Sequence, residues 1–203
     1  MARPKLLVAT TSTGKRREIA AVLADLPFDC VSLADLDPLP EPVEDGETFL
    51  ANATKKALHY ARLTGRLTLA DDSGLEVDAL GGAPGVLSAR YAGERADDAA
   101  NNARLVAALA DVPPEKRGAK FRCVLVLADG DRVLASTEGT INGHIIDAPR
   151  GANGFGYDSY FLVPEFDKTT AELTPEHKNR ISHRGQAVRA MKAKLAALPE
   201  ACG

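Results

Sequence analysis

The sequence predicts a mixed α/β fold whose sheet has an antiparallel part. Strand and helix patterns alternate early in the chain, and a hairpin signal follows later, where Asp129-Gly130 separates the apolar run 121–128 from a second run at 132–138. The chain has 203 residues and shows no internal repeat and no low-complexity linker. This length allows one sizeable core, either whole or split into two lobes. We therefore expect a single domain over residues 1–203.

The first elements follow from apolar periodicity. Residues 5–9 form a short apolar run that predicts a buried strand. Residues 27–46 are rich in prolines and acidic residues and predict a strand followed by a loop. Between them, one helical face is predicted by apolar residues at i, i+3, i+4 and i+7, namely Ile19, Val22, Leu23 and Leu26. A second helical face ends at Gly65, a typical C-terminal cap, and consists of Phe49, Ala53, Ala57 and Tyr60.

The later elements are marked by capping residues and loop composition. Residues 81–96 and 149–159 are rich in glycine and predict irregular loops. Asp97 or Asp98 can cap a third helix, and Thr174-Pro175 has N-cap and N1 chemistry for a short fourth one. The apolar faces of the third and the final helix are formed by Leu105, Ala108 and Leu109, and by Val188, Met191, Leu195 and Leu198.

Composition and charge argue against several classes of protein. The net charge is −3, so a broad nucleic-acid surface is disfavoured, and an RNA-binding module would lack the basic face it needs. Three cysteines and four histidines show no CxxC, HxxH or HxxxH spacing, which argues against a disulfide scaffold and a zinc site. The N-terminal apolar run is too short for a signal segment, and no run reaches membrane-spanning length. We expect a cytoplasmic protein.

The segment Ala70-Asp71-Asp72-Ser73-Gly74 is the most informative stretch of the chain. It follows the apolar run 67–70, which predicts a buried strand. Burying two carboxylates at the end of such a strand costs free energy unless positively charged groups lie close to them. In an extended backbone Asp71 and Asp72 point to opposite faces of the strand. We therefore expect one of them to face a cleft and the other to be held in place by neighbouring groups on the opposite face. Ser73 and Gly74 should then turn the chain. The pattern predicts a binding site for a divalent cation or a general base. The alternative without a function is a polar turn with one capping Asp.

A second candidate site is the polar turn after the first predicted strand. A strand, a small-residue turn and a helix start together create an anion site from free backbone N–H groups. Lys15, Arg16 and Arg17 crowd the first helical turn, where cations oppose the helix dipole unless a phosphate offsets them. The GxxxxGK spacing of a Walker A loop is absent. The alternative is a solvated basic face.

Three weaker signals complete the set. Glu44-Asp45 before Gly46 is either an exposed loop or the second half of an oxygen-ligand site for magnesium. Gly154-Phe155-Gly156-Tyr157-Asp158 would let a flat ligand approach the backbone and stack on a ring, or it is a tight turn with one core aromatic. Lys178 and Ser182-His183-Arg184 lie near predicted helix starts, where a bound anion or carbonyl oxygen would offset the repulsion between these cations and the helix dipole. The alternative is that they are only a surface Arg and a capping His.

The order and spacing of these motifs resemble the inosine/xanthosine triphosphate pyrophosphatases over nearly the whole chain, from about Lys5 to Leu198. Ser12 stands where that family usually has Asn. The matching segments are Thr10…Gly14-Lys15, Glu44 with Gly46, Thr48-Phe49, Asn52-Ala53, Lys56, Ala70-Asp71-Asp72-Ser73-Gly74, Gly81-Gly82-Ala83-Pro84-Gly85, Ser88-Ala89-Arg90-Tyr91, Gly154-Phe155-Gly156-Tyr157-Asp158, Lys178 and Ser182-His183-Arg184.

The resemblance implies a two-lobed α/β fold around a long mixed sheet flanked by helices, with the active site in the cleft between the lobes. It further implies a magnesium-dependent homodimer that hydrolyses ITP, dITP or XTP to the monophosphate and pyrophosphate. Asp72 would be the proton acceptor and a magnesium ligand, with Glu44 supporting the metal. The implied substrate-binding residues are Thr10, Thr11, Ser12, Thr13, Gly14, Lys15, Lys56, Ser73 and Lys178 for the phosphates, and Phe155, Gly156, Tyr157, Asp158, His183 and Arg184 for the base.

Two other readings of the same residues remain open. A Maf-like pyrophosphatase would carry out the same reaction on other modified nucleotides, and the Ser-His-Arg and Phe-Gly-Tyr-Asp strings argue against it. A nucleotide sensor without catalysis would need only the phosphate loop and the stacking Phe155. The Asp71-Asp72 pair together with Glu44 favours an enzyme over a sensor.

Overall fold

The computed structural model describes residues 3–198 and has the mixed α/β architecture expected from the sequence. Within this range the strands are β1 (Lys5–Ala9), β2 (Asp29–Ser32), β3 (Leu67–Val77), β4 (Gly118–Asp129), β5 (Arg132–Ile145), β6 (Phe161–Val163) and β7 (Lys168–Thr169). The α-helices are α1 (Thr13–Leu23), α2 (Phe49–Thr64), α3 (Asp98–Ala108), α4 (Pro175–Ile181) and α5 (His183–Ala196). Short 3₁₀ turns, including Gly85–Arg90, connect several of them.

The strands form one mixed sheet with the order β2-β1-β3-β4-β5-β6-β7. β1 pairs in parallel with both β2 and β3, while β6 pairs antiparallel with β5 and β7. The register places Ala9 opposite Ala70, at the carboxyl end of β1. The loop that begins at Thr10 therefore leaves the sheet beside Asp71, because parallel strands deliver their carboxyl ends to the same edge.

The chain divides into two compact units. The first unit contains the chain up to Asp72, Cys123–Gly139 and the chain from Arg184 onward; the second contains Ser73–Arg122 and Thr140–His183. The expectation of one domain over residues 1–203 stays a prediction. The core of the first unit is apolar and includes Leu6, Ile19, Leu69, Leu125, Leu127, Val188 and Met191. The core of the second unit includes Leu75, Val77, Leu105, Phe121, Ile145, Tyr157 and Phe161.

Capping residues behave as their chemistry predicts. The Asp97 carboxylate accepts a hydrogen bond from Ala100 N–H at 2.8 Å, and Thr174 Oγ1 accepts one from His177 N–H at 3.2 Å. Gly65 ends α2 with φ +61°, in the left-handed region that glycine adopts without strain. The hairpin signal is also confirmed, since β4 and β5 are neighbours in the sheet and only Gly130 and Asp131 separate them.

The turn expected at Ser73-Gly74 is wrong. β3 continues through both residues to Val77, so Asp71 and Asp72 lie inside the strand and not at its end. The register of β3 with β1 ends at Ala70, so pairing of β3 with β4 on its other side outweighs the weak turn preference of a Ser-Gly dipeptide. β5 also runs beyond residue 138 to Ile145, and the short strands β6 and β7 carry too few residues to show a period. None of the helices in residues 3–198 is both long and apolar enough to span a bilayer.

Candidate active site

The loop between β1 and α1 is organised by its own hydroxyl groups. Ser12 N–H donates to Thr10 Oγ1 at 3.1 Å, and Ser12 Oγ accepts from Lys15 N–H at 3.4 Å as the N-cap of α1. The first turn of α1 contains no acidic residue. Thr11 and Thr13 are exposed, and Arg16 donates to Ser32 Oγ at 3.1 Å. This helix start has the backbone donors and dipole that favour an anion.

Asp71 is held by three side chains of the first unit. Its Oδ1 lies 2.5 Å from Lys15 Nζ, and its Oδ2 lies 3.2 Å from both Arg184 Nε and Cys123 Sγ. Burial alone would raise the pKa of Asp71, but the charges of Lys15 and Arg184 outweigh it and hold the pKa well below its usual range. Asp71 is therefore ionised and held in place by its partners. The sequence predicts this position for one member of the pair.

Arg184 connects Asp71 to a carboxylate on α1. It is only 2% exposed, and its second ion pair joins Nη1 to Glu18 Oε2 at 2.5 Å. A planar guanidinium can bind two acceptors at fixed angles, which a Lys ammonium cannot do in the same way. Sequence reasoning missed Glu18, although its position one turn after Lys15 on α1 was available as a signal.

Asp72 has the opposite electrostatic character. It is 7% exposed, and burial raises its pKa to about 6, with Asp71 and Glu44 adding to the rise and Lys15 and Lys56 opposing it. Neighbouring carboxylates with pKa values moved apart in this way can divide the roles of fixed charge and proton acceptor. The pair thus provides one permanent anion and one group that can exchange a proton near neutral pH.

Glu44 and Asp72 are the residues that could hold a divalent cation. Lys56 Nζ lies 2.9 Å from Glu44 Oε2 and donates to the main-chain carbonyl of Asp71 at 3.2 Å, which places Glu44 beside the acidic pair. Residues 3–198 contain no group of three or more His, Cys, Asp or Glu side chains arranged to hold a metal. Two carboxylates nevertheless fit magnesium, which keeps several waters and takes further oxygens from substrate phosphates.

The second unit contains a compact aromatic and charged group around Phe155. Asp158 Oδ2 accepts from Phe155 N–H at 2.9 Å and from Lys178 Nζ at 2.5 Å, while its Oδ1 accepts from Thr170 Oγ1 at 2.8 Å. Lys178 Nζ also lies 4.9 Å from the centre of the Phe155 ring. Asp158 and Lys178 are 3% and 5% exposed, so their charges are desolvated and mutually neutralising.

Two glycines make this loop possible. Gly154 has φ +80°, and a Cβ there would lie 2.1 Å from Asp158 Oδ2. Gly156 has φ +60°, again in the left-handed region. Tyr157 is 4% exposed and its hydroxyl donates to the Ser88 carbonyl at 2.7 Å, which anchors the loop to the Gly85–Arg90 turn.

His183 lies against a core aromatic of the second unit. Its ring stacks on Phe121 with centroids 4.8 Å apart and an interplanar angle of 14°. It is 5% exposed. Ser73, the first residue of the second unit, is half-buried within β3.

The structure brings the predicted residues together in two groups. Lys178, which the resemblance assigns to the phosphates, lies with Phe155 and Asp158. Arg184, which it assigns to the base, lies with Asp71. The first group is Thr10, Ser12, Lys15, Glu44, Lys56, Asp71, Asp72 and Arg184, and the second is Phe155, Gly156, Tyr157, Asp158 and Lys178.

Known proteins are similar to this chain over nearly its whole length. The model of the Ham1 family matches residues 6–194. The chain is 52% identical over 191 residues to a dITP/XTP pyrophosphatase of Geobacter sulfurreducens, covering 94% of this chain and 96% of the relative. It is 51% identical over 185 residues to a dITP/XTP pyrophosphatase of Desulforamulus reducens, covering 91% and 92% of the two chains.

A solved structure has the same fold as this chain. The HAM1 protein from Coxiella burnetii superposes with a TM-score of 0.87 at 39% identity, covering 96% of this chain and 100% of the other. Identity and coverage at these levels extend over both groups of candidate residues. The chain belongs to the Ham1 family.

Proposed function

We propose that this protein hydrolyses deaminated purine nucleoside triphosphates, namely ITP, dITP and XTP, to the nucleoside monophosphate and pyrophosphate. The observation that carries the proposal is the Asp71-Asp72 pair, in which one carboxylate is fixed as an anion by Lys15 and Arg184 and the other has a pKa of about 6. This pair lies beside a helix start suited to phosphate. Two relatives, both dITP/XTP pyrophosphatases, support the same reaction.

Asp72 is the proposed proton acceptor. A carboxylate whose pKa is raised to about 6 is still ionised at neutral pH but takes a proton more readily than an ordinary Asp. It would accept the proton of the water that attacks phosphorus at the α–β anhydride, where the P–O bond breaks and pyrophosphate leaves the nucleoside monophosphate. Glu44 and Asp72 would also hold Mg²⁺, which when bound offsets charge on the phosphate oxygens and orients them.

The phosphate chain is proposed to lie on the first group. The backbone and hydroxyl groups of residues Thr10–Lys15 provide donors, and Lys15 and Lys56 provide positive charge. Both lysines are already held by carboxylates, Lys15 by Asp71 and Lys56 by Glu44, so their ammonium groups are positioned before substrate arrives. Positioned charge of this kind stabilises a transition state without further reorganisation. Ser73 is proposed to contribute a further phosphate donor.

The base is proposed to bind at the second group. Phe155 would stack on the purine, with Gly156 and Tyr157 shaping the loop, and Asp158 would act by holding Lys178 and the Phe155 N–H in place. His183 and Arg184 are proposed donors to the C6 carbonyl oxygen of hypoxanthine or xanthine. Adenine carries an amino group at C6, so a donor would face a donor and binding would be poor.

The decisive experiment measures pyrophosphate release from ITP, XTP, GTP and ATP, with and without Mg²⁺. We expect magnesium-dependent release from ITP and XTP and little from ATP. Guanine shares the C6 oxygen, so low release from GTP would require that its C2 amino group be rejected. Equal turnover of ATP would contradict the assigned base contacts, and preferential turnover of other modified nucleotides would favour a Maf-like activity. Binding of ITP without turnover would leave a sensor. We further infer a homodimer located in the cytoplasm; analytical ultracentrifugation tests the dimer, and fractionation of cells tests the location.

A further inference from the structure

The start of α3 contacts the Phe155 loop through two side chains to which the sequence analysis assigned no role at the site. Asp98 Oδ2 accepts from Gly156 N–H at 2.6 Å, and Asn102 Nδ2 donates to the Gly156 carbonyl at 2.9 Å. Both backbone polar groups of this one residue are therefore bound by the same helix. The same Asn102 Nδ2 also donates to the main-chain carbonyl of Asp98 at 2.8 Å, which holds the Asn102 side chain against the first turn of α3.

These contacts restrict the residue next to Gly156. The peptide plane before the Phe155 Cα donates its N–H to Asp158, and the plane after it donates its N–H to Asp98. Since φ and ψ describe rotation of these two planes about the Cα, fixing both planes fixes the backbone of Phe155. The direction in which the ring leaves the backbone is then set before any ligand arrives.

Asn102 is suited to this role by burial and by chemistry. It is 8% exposed, and its amide group donates to two carbonyl oxygens at once. An Asp at this position would place a carboxylate oxygen against the same two carbonyls and would repel them. Removing this buried Asn is costly, because the Gly156 carbonyl loses its side-chain donor, whereas the Asp98 carbonyl still faces the helical N–H four residues on.

We infer that Asp98 and Asn102 are positioning residues for the base, acting through Gly156 to hold the Phe155 ring in its stacking orientation. The inference rests on the proposed function for its link to substrate, but the restraint on the loop is independent of it. Ordering a loop in advance removes part of the entropy cost of binding, so its loss raises KM more than it lowers kcat.

The test compares Asn102→Ala with Asn101→Ala. Asn101 is a matched control, since it is also buried on α3 and binds two backbone groups, Ala92 N–H and the Ala89 carbonyl, away from Gly156. We expect Asn102→Ala to raise KM for ITP about tenfold with kcat within about threefold. We also expect hydrogen exchange of the amides of residues 155–158 to become about tenfold faster. Asn101→Ala should show neither effect.

A conservative pair at residue 98 separates hydrogen bonding from charge. Asp98→Asn keeps an acceptor for Gly156 N–H and should hold KM near the wild-type value, whereas Asp98→Ala should raise it. Unchanged exchange and KM in Asn102→Ala, or an equal KM rise in Asn101→Ala, would overturn the inference. If wild-type protein released no pyrophosphate from ITP, the proposed function would fail, while the exchange comparison would still decide the restraint on the loop.

Discussion

Lys15 Nζ lies 2.5 Å from Asp71 Oδ1, so the cation at the start of α1 is joined to β3. This contact links two sequence motifs that carry different chemistry, the phosphate loop and the acidic pair. It also settles which of the two adjacent carboxylates is fixed, because Lys15 and Arg184 hold Asp71 ionised while Asp72 keeps a pKa of about 6.

Replacing Asp72 by Asn should abolish most activity without unfolding the protein. Asn keeps the size of the side chain but cannot take a proton and is a poor magnesium ligand, so we expect kcat to fall by roughly 10²–10⁴-fold. Steady-state pyrophosphate release from ITP measures this. Asp131→Asn is the control, since Asp131 is an exposed partner of Arg62, and it should leave kcat unchanged. Near-normal turnover of folded Asp72→Asn protein would rule out Asp72 as the base.

The same substitution should stabilise the metal-free protein above pH 6. The pKa of Asp72 is about 6 in the folded state against 3.8 for an ordinary Asp, so the folded state binds this proton more tightly. Its contribution to stability is full below pH 3.8 and is lost as pH rises through about 6. At pH 8 we expect Asp72→Asn to be more stable by on the order of 2 kcal/mol.

Urea unfolding in EDTA at pH 4 and pH 8 measures this difference. The difference in the free energy of unfolding between wild type and Asp72→Asn should be small at pH 4 and larger at pH 8. If Asp72 is a ligand of Mg²⁺ as proposed, adding Mg²⁺ should narrow this difference at pH 8, because the metal would stabilise only the wild-type protein. A gap that does not change with pH would show that burial of the Asp72 charge is not the cause.

Removing Arg184 should destabilise the first unit. Arg184→Ala would leave Asp71 and Glu18 buried or half-buried without their shared guanidinium, and breaking a buried pair in this way costs about 3–5 kcal/mol. Chemical denaturation measures the loss. Arg62→Ala removes an Arg from an exposed ion pair with Asp131 and should change stability little. Equal effects of the two variants would mean that the Asp71 network contributes no more than a surface pair.

Replacing Phe155 by Leu should weaken base binding selectively. Leu retains apolar bulk but removes the flat ring, and loss of base stacking is worth about 1–3 kcal/mol, so we expect KM for ITP to rise roughly 10–100-fold. Phe166→Leu is the control, since Phe166 packs edge-on against His177 elsewhere in the second unit. Steady-state kinetics separate KM from kcat. A fall in kcat at unchanged KM would place Phe155 outside the base site.

Local chemistry allowed much of the fold to be predicted from the sequence. The cap at Thr174, the helix end at Gly65 and the hairpin at Gly130 are decided within a few residues, and all three are present. The turn expected at Ser73 failed because its outcome depends on strands distant in sequence. A weak local preference gives way when the strand continues in the sheet beside β4, although its pairing with β1 has ended at Ala70.

The candidate site could be predicted only in part for the same reason. The motifs supplied Asp71, Asp72 and Lys15, but not which partners hold them. Glu18 and Arg184 are 166 positions apart, and Cys123 reaches Asp71 from a different strand. Such contacts have no short-range signature, because a hydrogen bond between distant residues depends on how the chain folds and not on spacing.

Two positive and two negative groups form one network, so its net charge is zero. The members are Lys15, Asp71, Arg184 and Glu18. Any single mutation that removes a charge at these four positions leaves the network unbalanced in a poorly solvated region. Evolution would therefore have to change these positions in compensating pairs, and intermediate sequences with one change would be selected against. Among natural relatives, a chain without the arginine should also lack an acid at one of its two partner positions.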